Sequence, residues 1–541
     1  MTIKSSRASA FASPSPCFSS EISSFLDKLE LLKKDTTEFV LMRTGRAQLE
    51  NYMKREWKGP ETSFEDRIDR DSVQWETHLT IAREEKDVRV KKRLIQSSEL
   101  IPGLKGVYDI QVGRAGRPDD NVYFKSAYAR EWLPRGNCIA EWQIQERRYY
   151  FPLIRGYRKF TGQEDDGELL NETENRIEKK VVSFFSRPKT QSKWVIATSK
   201  ENGEAGHLAV LKRSDGEFVY VLGSKNTHLL AQTVEDIERT RVNQQQTDKS
   251  DPYCAARPIA TAILRKVFGL VPVHRKLLCE FLWQTRATAS FEVLCPSHQH
   301  VQLLDNLDED TPVFYGLSLM TLNCVEGAEI CVNPVLLYEF MGALGVRTVT
   351  YKVFDYNADA FKAELELSKS AYQHEGVVHL FTDANAAVIG MQKHKSIWYV
   401  CLRAIREKAK SFCRTLRSFE PPKDSAKPRT HSPEEALRTA RKSMQKRFTA
   451  ITGFMQISDE VANNYEKLGE QFLEYLFENE LFRGVAANKD EEEKCKKIAK
   501  DVANLFPIVW KRFLDHTGLN DAISNTHKQN LLKLSYNLPR K

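Results

Sequence analysis

The sequence lacks long hydrophobic runs, closely spaced cysteine pairs and a P-loop. No stretch approaches the ~18 uncharged apolar residues that a membrane helix needs, which excludes a transmembrane protein. No C-x-x-C occurs, so a zinc ribbon or a thioredoxin-like redox motif has little support. The dipeptide Gly-Lys is also missing, which excludes the phosphate-binding loop of P-loop kinases.

Basic residues are concentrated in one segment. The chain has 541 residues, of which 41% are hydrophobic, and a formal charge of +8. Between residues 401 and 450 we count 14 basic and 5 acidic residues, a local charge of +9. Such a segment favours a polyanionic partner such as RNA, although a solvated helix face gives the same pattern. Helical spacing after Ser432 indicates these RNA-binding candidates: Arg438, Arg441, Lys442, Lys446 and Arg447.

The cysteines and the first twenty residues give information on the cellular compartment. The ten cysteines are scattered, which is typical of reduced thiols in an intracellular protein, nuclear or cytoplasmic. Residues 1–20 are Ser-rich and carry Lys4 and Arg7, with no acid before Glu21. This composition fits either a disordered tail or an organelle-targeting segment.

Hydrophobic patterning predicts four parts. Residues 1–20 form the tail, and residues 21–120 a helix-rich extension that begins with one helix over 21–56. Residues 121–404 contain short apolar and β-branched runs between turn signals, which predict strands separated by helical segments. The first of these predicted strands is NVYF at 121, and a later one is HVQLL at 300. Residues 405–541 are predicted to be all-α, with Ser432 capping one helix and Pro507 kinking another. The fold class is therefore α+β, a largely antiparallel sheet domain followed by a helical domain.

The sequence around Lys200 suits a reactive lysine. The apolar strand that starts at Trp194 leads into Lys200, and Asn202-Gly203 then gives a strong turn signal before a second strand. A lysine amine can attack the α-phosphorus of a nucleotide once nearby positive charge or desolvation lowers its pKa. An exposed lysine in a hairpin explains the same residues without any chemistry.

Two acids and two further lysines follow in strand contexts. Glu292 lies inside TASFEVL, and Glu375 opens EGVVHLF. Lys393 and Lys395 alternate in QKHKSIWYV, so on a strand both point to one face. Such a set would suit triphosphate chemistry. One lysine would attack, the two acids would bind ribose and a divalent cation, and the further lysines would neutralise phosphate charge. For each acid alone, a structural salt bridge is an equal alternative.

Taken in order, these segments resemble the motifs of the covalent nucleotidyltransferase superfamily, and within it the ATP-dependent RNA ligases of phage and of fungal and plant tRNA ligases. SKENG resembles motif I, GSKN motif Ia, TASFEVL motif III, EGVV motif IV and KHKSIWYV motif V. PRGNCIAEW and IRGYRKF resemble the basic segments upstream of motif I. The resemblance implies that Lys200 becomes adenylylated and that Lys393 and Lys395 are also catalytic. It implies that ATP is bound by Arg135, Lys159, Lys225, Glu292 and Glu375, and the metal by Glu292 and Glu375.

The reaction implied by the resemblance has three steps. Lys200 takes AMP from ATP, AMP passes to a 5′-phosphate RNA end, and the RNA 3′-hydroxyl displaces AMP to form a phosphodiester. ATP and Mg²⁺ or Mn²⁺ would be the cofactors, and RNA, with tRNA halves as one candidate, the partner. Because no kinase or phosphoesterase module is evident, we expect a sealing enzyme of tRNA splicing or RNA repair that depends on separate end-healing enzymes. We also expect it to be a monomer.

Three other functions stay open at this point. A DNA ligase or mRNA capping enzyme shares the motifs but normally adds an OB-fold after motif V, where this sequence predicts helices. An RNA-binding protein on a catalytically inactive ligase core would retain the fold without the reaction. An enzyme that nucleotidylates a small molecule or a protein would not need the basic segment at 401–450.

Overall fold

The computed structural model describes most of the chain. The described residues are 11–12, 15–57, 63–93, 100–113, 119–160, 181–241, 251–320, 330–417, 432–478 and 500–520. The predicted linker near 419–432 lies almost wholly outside these residues, as does the segment 1–10 of the predicted tail. No helix among the described residues combines the length and the apolar character required to cross a bilayer.

Three helices open the fold: α1 (Ser20–Leu32), α2 (Thr37–Trp57) and α3 (Phe64–Glu84). The prediction of one helix over 21–56 is wrong, because the chain turns between α1 and α2. Thr36 accepts a hydrogen bond from the Phe39 backbone N–H at 3.2 Å, which supplies a start for α2 that the apolar pattern did not show.

Part of the predicted tail is folded. Phe11 is buried and bridges to Arg213, and the Phe18 ring stacks on Phe281 at 5.6 Å. The prediction that residues 1–20 are disordered is therefore wrong for these two residues, because their aromatic rings are buried in the main core.

The first sheet crosses the predicted boundary at residue 120. Its order is β1 (Val88–Arg93), β2 (Leu104–Val112), β3 (Asn137–Ile144) and β4 (Arg147–Arg155), with all neighbours antiparallel. Since β2 pairs with β3, a domain division at 120 is wrong. Helices α4 (Asp119–Lys125) and α5 (Ala127–Trp132) lie between β2 and β3 in the chain. NVYF is part of α4 and not a strand, because Val122 and Tyr123 bury one helix face instead of alternating across a sheet.

Two further antiparallel sheets form the centre of the molecule. One has the order β10 (Thr311–Leu319), β9 (Ala287–Leu294), β6 (Glu204–Lys212), β7 (Phe218–Ser224) and β8 (Thr227–Ala231). The other has the order β11 (Tyr351–Asp355), β5 (Trp194–Lys200), β12 (Gly376–Thr382) and β13 (Val388–Lys395). We call them the five-stranded and the four-stranded sheet.

Helices accompany these central sheets. They are α6 (Val234–Arg239), α7 (Ala256–Phe268), α8 (Pro272–Thr285), α9 (Pro334–Ala343) and α10 (Asp359–Lys369). The predicted strand HVQLL at 300 is wrong: this segment is a loop, in which buried Gln299 uses its side chain to bond the Pro296 carbonyl and the Leu304 N–H. These local bonds replace those of a strand ladder.

The described residues of the C-terminal region are mainly helical, as predicted. It contains α11 (Ile397–Arg417), α12 (Pro433–Met455), α13 (Asp459–Glu478) and α14 (Phe506–Thr517), which share a core separate from the main one. The predicted boundary at 404/405 falls inside α11, whose buried residues join this core from Ile397 onward. Ser432 caps α12 as predicted. Pro507 stands in the first turn of α14, directly after helical residues 500–504 end at Leu505, so the predicted kink is a break between two helical segments. The fold class is confirmed: α+β, antiparallel sheets followed by helices.

Candidate active site

Lys200 lies at the end of β5, where the chain passes from one central sheet to the other. Strands β5 and β6 are not paired, since β5 belongs to the four-stranded sheet and β6 to the five-stranded sheet. The alternative of an exposed lysine in a hairpin at Asn202-Gly203 is therefore wrong. The segment 201–203 is a crossover, which explains why a turn signal stands between two strands that do not pair.

Asn202 and Gly203 fix this crossover. The buried Asn202 amide donates to Glu375 Oε2 at 2.7 Å, and its carbonyl oxygen accepts from the Val301 and Gln302 backbone N–H groups at 3.0 and 3.2 Å. A Cβ on Gly203 would lie 2.3 Å from the Val293 carbonyl oxygen, so only glycine lets the crossover lie this close to β9. Residues from three segments thus hold Lys200 at one point.

Two carboxylates surround the Lys200 amine. Its Nζ lies 2.6 Å from Glu375 Oε1, and the Glu292 charge also acts on it. Burial alone lowers the pKa of Lys200, but Glu375 and Glu292 outweigh it and raise the pKa above its ordinary value. The expectation of a depressed pKa is wrong for the protein without ligand: Lys200 is an ammonium ion. Its side chain keeps 23% exposure, so a ligand can reach it.

The two acids differ in their environment. Burial raises the pKa of Glu292, which accepts a hydrogen bond from the Gly203 N–H at 3.2 Å. Burial would also raise the pKa of Glu375, but Lys200 and then Lys395 hold it below its usual range. Glu375 is therefore the ionised partner of Lys200 at neutral pH.

Lys393 and Lys395 both lie on β13, which pairs with β12 beside β5. Lys393 lines the cavity in front of Lys200, and Lys395 is buried near Glu375. The cavity has a volume of about 270 Å³ and lies between the two central sheets. Its lining includes Arg135, Lys225 and Glu292, so the structure brings together residues predicted from segments that are distant in the chain.

Two carboxylates of α4 form ion pairs with the cations that were predicted to bind ATP. Asp119 Oδ2 lies 2.9 Å from Arg135 Nη2 and 2.6 Å from Lys225 Nζ, and Asp120 pairs with Lys159. Burial, Arg135 and Lys393 lower the pKa of Lys159 to about 8. Asp119 and Asp120 were not predicted as site residues, because they directly precede NVYF, which was predicted to be a strand.

A second feature that sequence reasoning missed is a buried chain of polar groups behind the cavity. The His207 ring lines the cavity, its Nδ1 lies 3.3 Å from His228 Nε2, and His228 Nδ1 lies 2.8 Å from Asp109 Oδ1. Burial and His228 lower the pKa of His207 to about 3, so its ring is neutral. It also bonds the backbone of Ser224 and Arg135, and therefore positions the segments that carry Lys225 and Arg135.

Glycine makes room for that ring. Gly136 has φ +94°, and a Cβ there would lie 2.2 Å from His207 Cε1. We expect Gly136→Ala to lower the free energy of unfolding by about 1–2 kcal/mol for the left-handed backbone and by about 1–3 kcal/mol more for overpacking. The measurement is urea unfolding, with Gly216→Ala as the matched control, since Gly216 has φ +91° and nothing within 4 Å of its Cβ position. Equal losses in the two variants would contradict the close contact with His207.

The basic candidates on α12 divide into two groups. Arg438, Lys442 and Lys446 are exposed and four residues apart, so they share one face. Arg441 forms an ion pair with Glu474, and Arg447 lies over the Phe454 ring at 5.8 Å. The first three can reach a polyanion, whereas the other two have partners in the helical region.

A family model matches the part of the chain that carries most of the candidate site. Residues 179–406, less than half of the chain, match a family described as "Domain of unknown function (DUF7920)". The match includes Lys200, Glu292, Glu375 and the β13 lysines, but not Arg135 or Lys159. No curated protein matches the sequence. A solved structure titled "Archaeal ATP-dependent RNA ligase - form 1" is 12% identical, with a TM-score of 0.38 over 78% of this chain and 86% of that chain. A score this low does not establish a shared function.

Proposed function

We propose that this protein is an ATP-dependent RNA ligase that joins 5′-phosphate and 3′-hydroxyl RNA ends through a lysyl-AMP intermediate and an RNA-adenylate. The observation that carries the proposal is the Lys200 amine, held 2.6 Å from Glu375 Oε1 at the floor of a cavity whose other walls carry Arg135, Lys225 and Lys393. A fixed amine beside a cluster of cations suits attack on a phosphorus atom of a polyphosphate.

The first chemical step would form a bond between Lys200 Nζ and the α-phosphorus and break the bond from that phosphorus to pyrophosphate. The Lys200 ammonium must first lose a proton, and Glu375 Oε1 is the acceptor within hydrogen-bond distance. Lys393 and the cations predicted to bind ATP would neutralise charge on the phosphate oxygens. In the later steps the AMP passes to the RNA 5′-phosphate and is then displaced by the 3′-hydroxyl.

The residues present fit a divalent metal ion. Glu292 and Glu375 offer carboxylate oxygens whose charges both act on the Lys200 amine, and Mg²⁺ is commonly held by one or two carboxylates together with substrate phosphates. A divalent cation held by Glu292 and Glu375 would offset the carboxylate charges that keep Lys200 protonated, and it would neutralise phosphate charge. Magnesium or manganese at these acids is therefore part of the proposal.

The experiment that tests the function uses wild-type protein with α-labelled ATP and Mg²⁺, followed by a 5′-phosphate, 3′-hydroxyl RNA. We expect covalently bound label, its transfer to the RNA 5′ end, and a joined product. Protein freed of prebound AMP that takes no label from ATP or GTP would contradict the proposal and favour an inactive RNA-binding protein on a ligase fold. Label without transfer to RNA would favour another nucleotidyltransferase.

Asp119 and Asp120 must leave their cations before ATP phosphates can bind them. We expect Asp119→Asn/Asp120→Asn to tighten ATP binding by about tenfold, because the two carboxylates no longer compete with ATP phosphates for the cations. A tenfold change in affinity corresponds to ~1.4 kcal/mol. Loss of Asp119 and Asp120 lowers the pKa of Lys159 below its wild-type value of about 8, because both acids raise it. The measurement is therefore equilibrium ATP binding at a pH far enough below that value for Lys159 to stay charged in the variant as well.

The matched control for this variant is Asp69→Asn, which removes an exposed carboxylate paired with Arg147 outside the cavity. It should leave ATP affinity unchanged. Weaker binding by the double variant would mean that the two acids hold the cations in place for ATP and do not compete with it.

The exposed face of α12 is the proposed RNA contact. We expect the triple alanine variant of Arg438, Lys442 and Lys446 to weaken RNA binding and to reduce the slope of log affinity against log salt by about 2, at ~0.7 per phosphate contact on a single strand. The measurement is a salt titration of binding to single-stranded RNA.

The control is a triple alanine variant of exposed basic residues on α2 and in the turn before it, Lys34, Lys54 and Arg55. It should keep the wild-type slope. An unchanged slope in the α12 variant would show that RNA binds elsewhere.

A further inference from the structure

Two histidines and a glutamate meet outside the Lys200 cavity. His300 Nε2 lies 3.0 Å from Glu204 Oε1, and His298 Nδ1 lies 3.6 Å from the same oxygen. One donor atom from each of the three residues lies within 4.8 Å of the other two. Glu204 begins β6 directly after the crossover, whereas the histidines lie on the loop that follows β9.

The loop is held in place without help from the histidines. Between them, Gln299 is buried and its backbone N–H donates to the Asn504 carbonyl at 2.6 Å. On the far side, the Val301 and Gln302 N–H groups donate to the Asn202 side chain. His298 and His300 flank a buried residue and therefore project on the other side of the loop, towards Glu204. A donor set fixed in this way loses little conformational entropy when it binds an ion.

We propose that Glu204, His298 and His300 form a binding site for a first-row transition metal of the Zn²⁺ class. Two imidazoles and a carboxylate are a donor set that Zn²⁺ uses, and imidazole ligands disfavour Mg²⁺ or Ca²⁺. In a tetrahedral complex with bonds of ~2.1 Å the donor atoms lie about 3.4 Å apart, close to the 3.0 and 3.6 Å found here. The side chains of His298 and Glu204 keep 43% and 37% exposure, which leaves the fourth position open to water.

A comparison within the molecule supports this choice. Among the residues that the structure describes, one other group has three potential ligands: Asp109, Cys138 and His228. That group already holds a cationic side chain, since Arg93 Nε lies 2.9 Å from Asp109 Oδ2. At the Glu204 group the nearby Arg406 is paired with Glu407 at 2.9 Å and donates to the Ala503 carbonyl.

A metal at this position would clamp two parts of the fold. The histidine loop contacts the helical region through Asn504, and it contacts the Lys200 crossover through Asn202. Binding would tie β6 to the loop after β9 and keep Asn202, and with it Glu375, in position. The proposed role is structural and does not depend on the ligase activity.

The test is a titration of metal-free full-length protein with Co²⁺, followed by visible absorption, and with Zn²⁺, followed by calorimetry. We expect one equivalent to bind to wild type with a tetrahedral Co²⁺ spectrum, and the His298→Ala/His300→Ala variant to lose this binding. Zn²⁺ should also raise the unfolding temperature of wild type but not of the variant. The double variant of exposed histidines elsewhere, His374→Ala/His516→Ala, should bind like wild type.

Two results would overturn the proposal. The first is that wild type binds no stoichiometric metal. The second is that wild type and the His298/His300 variant bind equally, because the ion would then lie at thiols or other groups. Unfolding temperatures without metal show whether each variant folds. Glu204→Gln keeps the shape of the side chain and removes its charge, so it provides a second variant should the histidine variant not fold. None of these readouts uses ATP, so a failure of the ligase assay and a failure of metal binding are separate results.

Discussion

Lys200→Ala is expected to abolish covalent labelling by α-labelled ATP. The variant removes the amine that would form the bond to the α-phosphorus, and removal of a covalent nucleophile costs on the order of 10⁶ in rate where it has been measured. No label should therefore be detectable on the time scale of the wild-type reaction. The measurement is retention of label after denaturation, with the modified peptide located by mass spectrometry.

Two control variants separate the role of Lys200 from general damage. Lys266→Ala removes a lysine with the same K-x-x-G spacing on α7, and it should label like wild type. Lys200→Arg keeps the charge beside Glu375 but not a nucleophilic amine, and it should fold without labelling. Label on a residue other than Lys200 would refute the assigned nucleophile while leaving nucleotidyl transfer intact.

Glu375→Ala is expected to produce a large loss of stability together with loss of labelling. Glu375 is buried, bonds Lys200 at 2.6 Å and accepts from Asn202 at 2.7 Å. Removing one partner of a buried ion pair costs about 3–5 kcal/mol, and we expect ~3 kcal/mol here because Glu292 still acts on Lys200. Labelling should be lost, because the variant removes both the proton acceptor and a metal ligand.

A double-mutant cycle tests the coupling behind this loss. Lys200→Met/Glu375→Leu removes both charges, so it should recover much of the stability lost in Glu375→Ala although it remains inactive. Urea unfolding of the wild type, of Lys200→Met, of Glu375→Leu and of the pair measures the interaction energy. Additive losses would show that Lys200 and Glu375 are not energetically coupled.

Local sequence signals predicted much of the secondary structure. The Ser432 cap and the strands around Lys200, Glu292 and Lys393 were readable, because capping and apolar patterning act within a few residues. Short apolar runs were ambiguous: NVYF and HVQLL have strand composition, yet one is helical and the other is a loop tied by Gln299. Periodicity over four or five residues cannot separate these outcomes.

The sequence by itself determined the α+β class, the helical C-terminal region and the kinds of residue available for phosphate chemistry. Only the tertiary structure decided that β5 and β6 belong to different sheets, that Asp119 pairs with the cavity cations Arg135 and Lys225, and that His207 bonds the backbone of Arg135. It also brought Glu204 to a histidine loop more than ninety residues away. The reason is physical: composition and periodicity reflect interactions between near neighbours, whereas strand pairing and ion pairs between distant segments depend on how the whole chain packs.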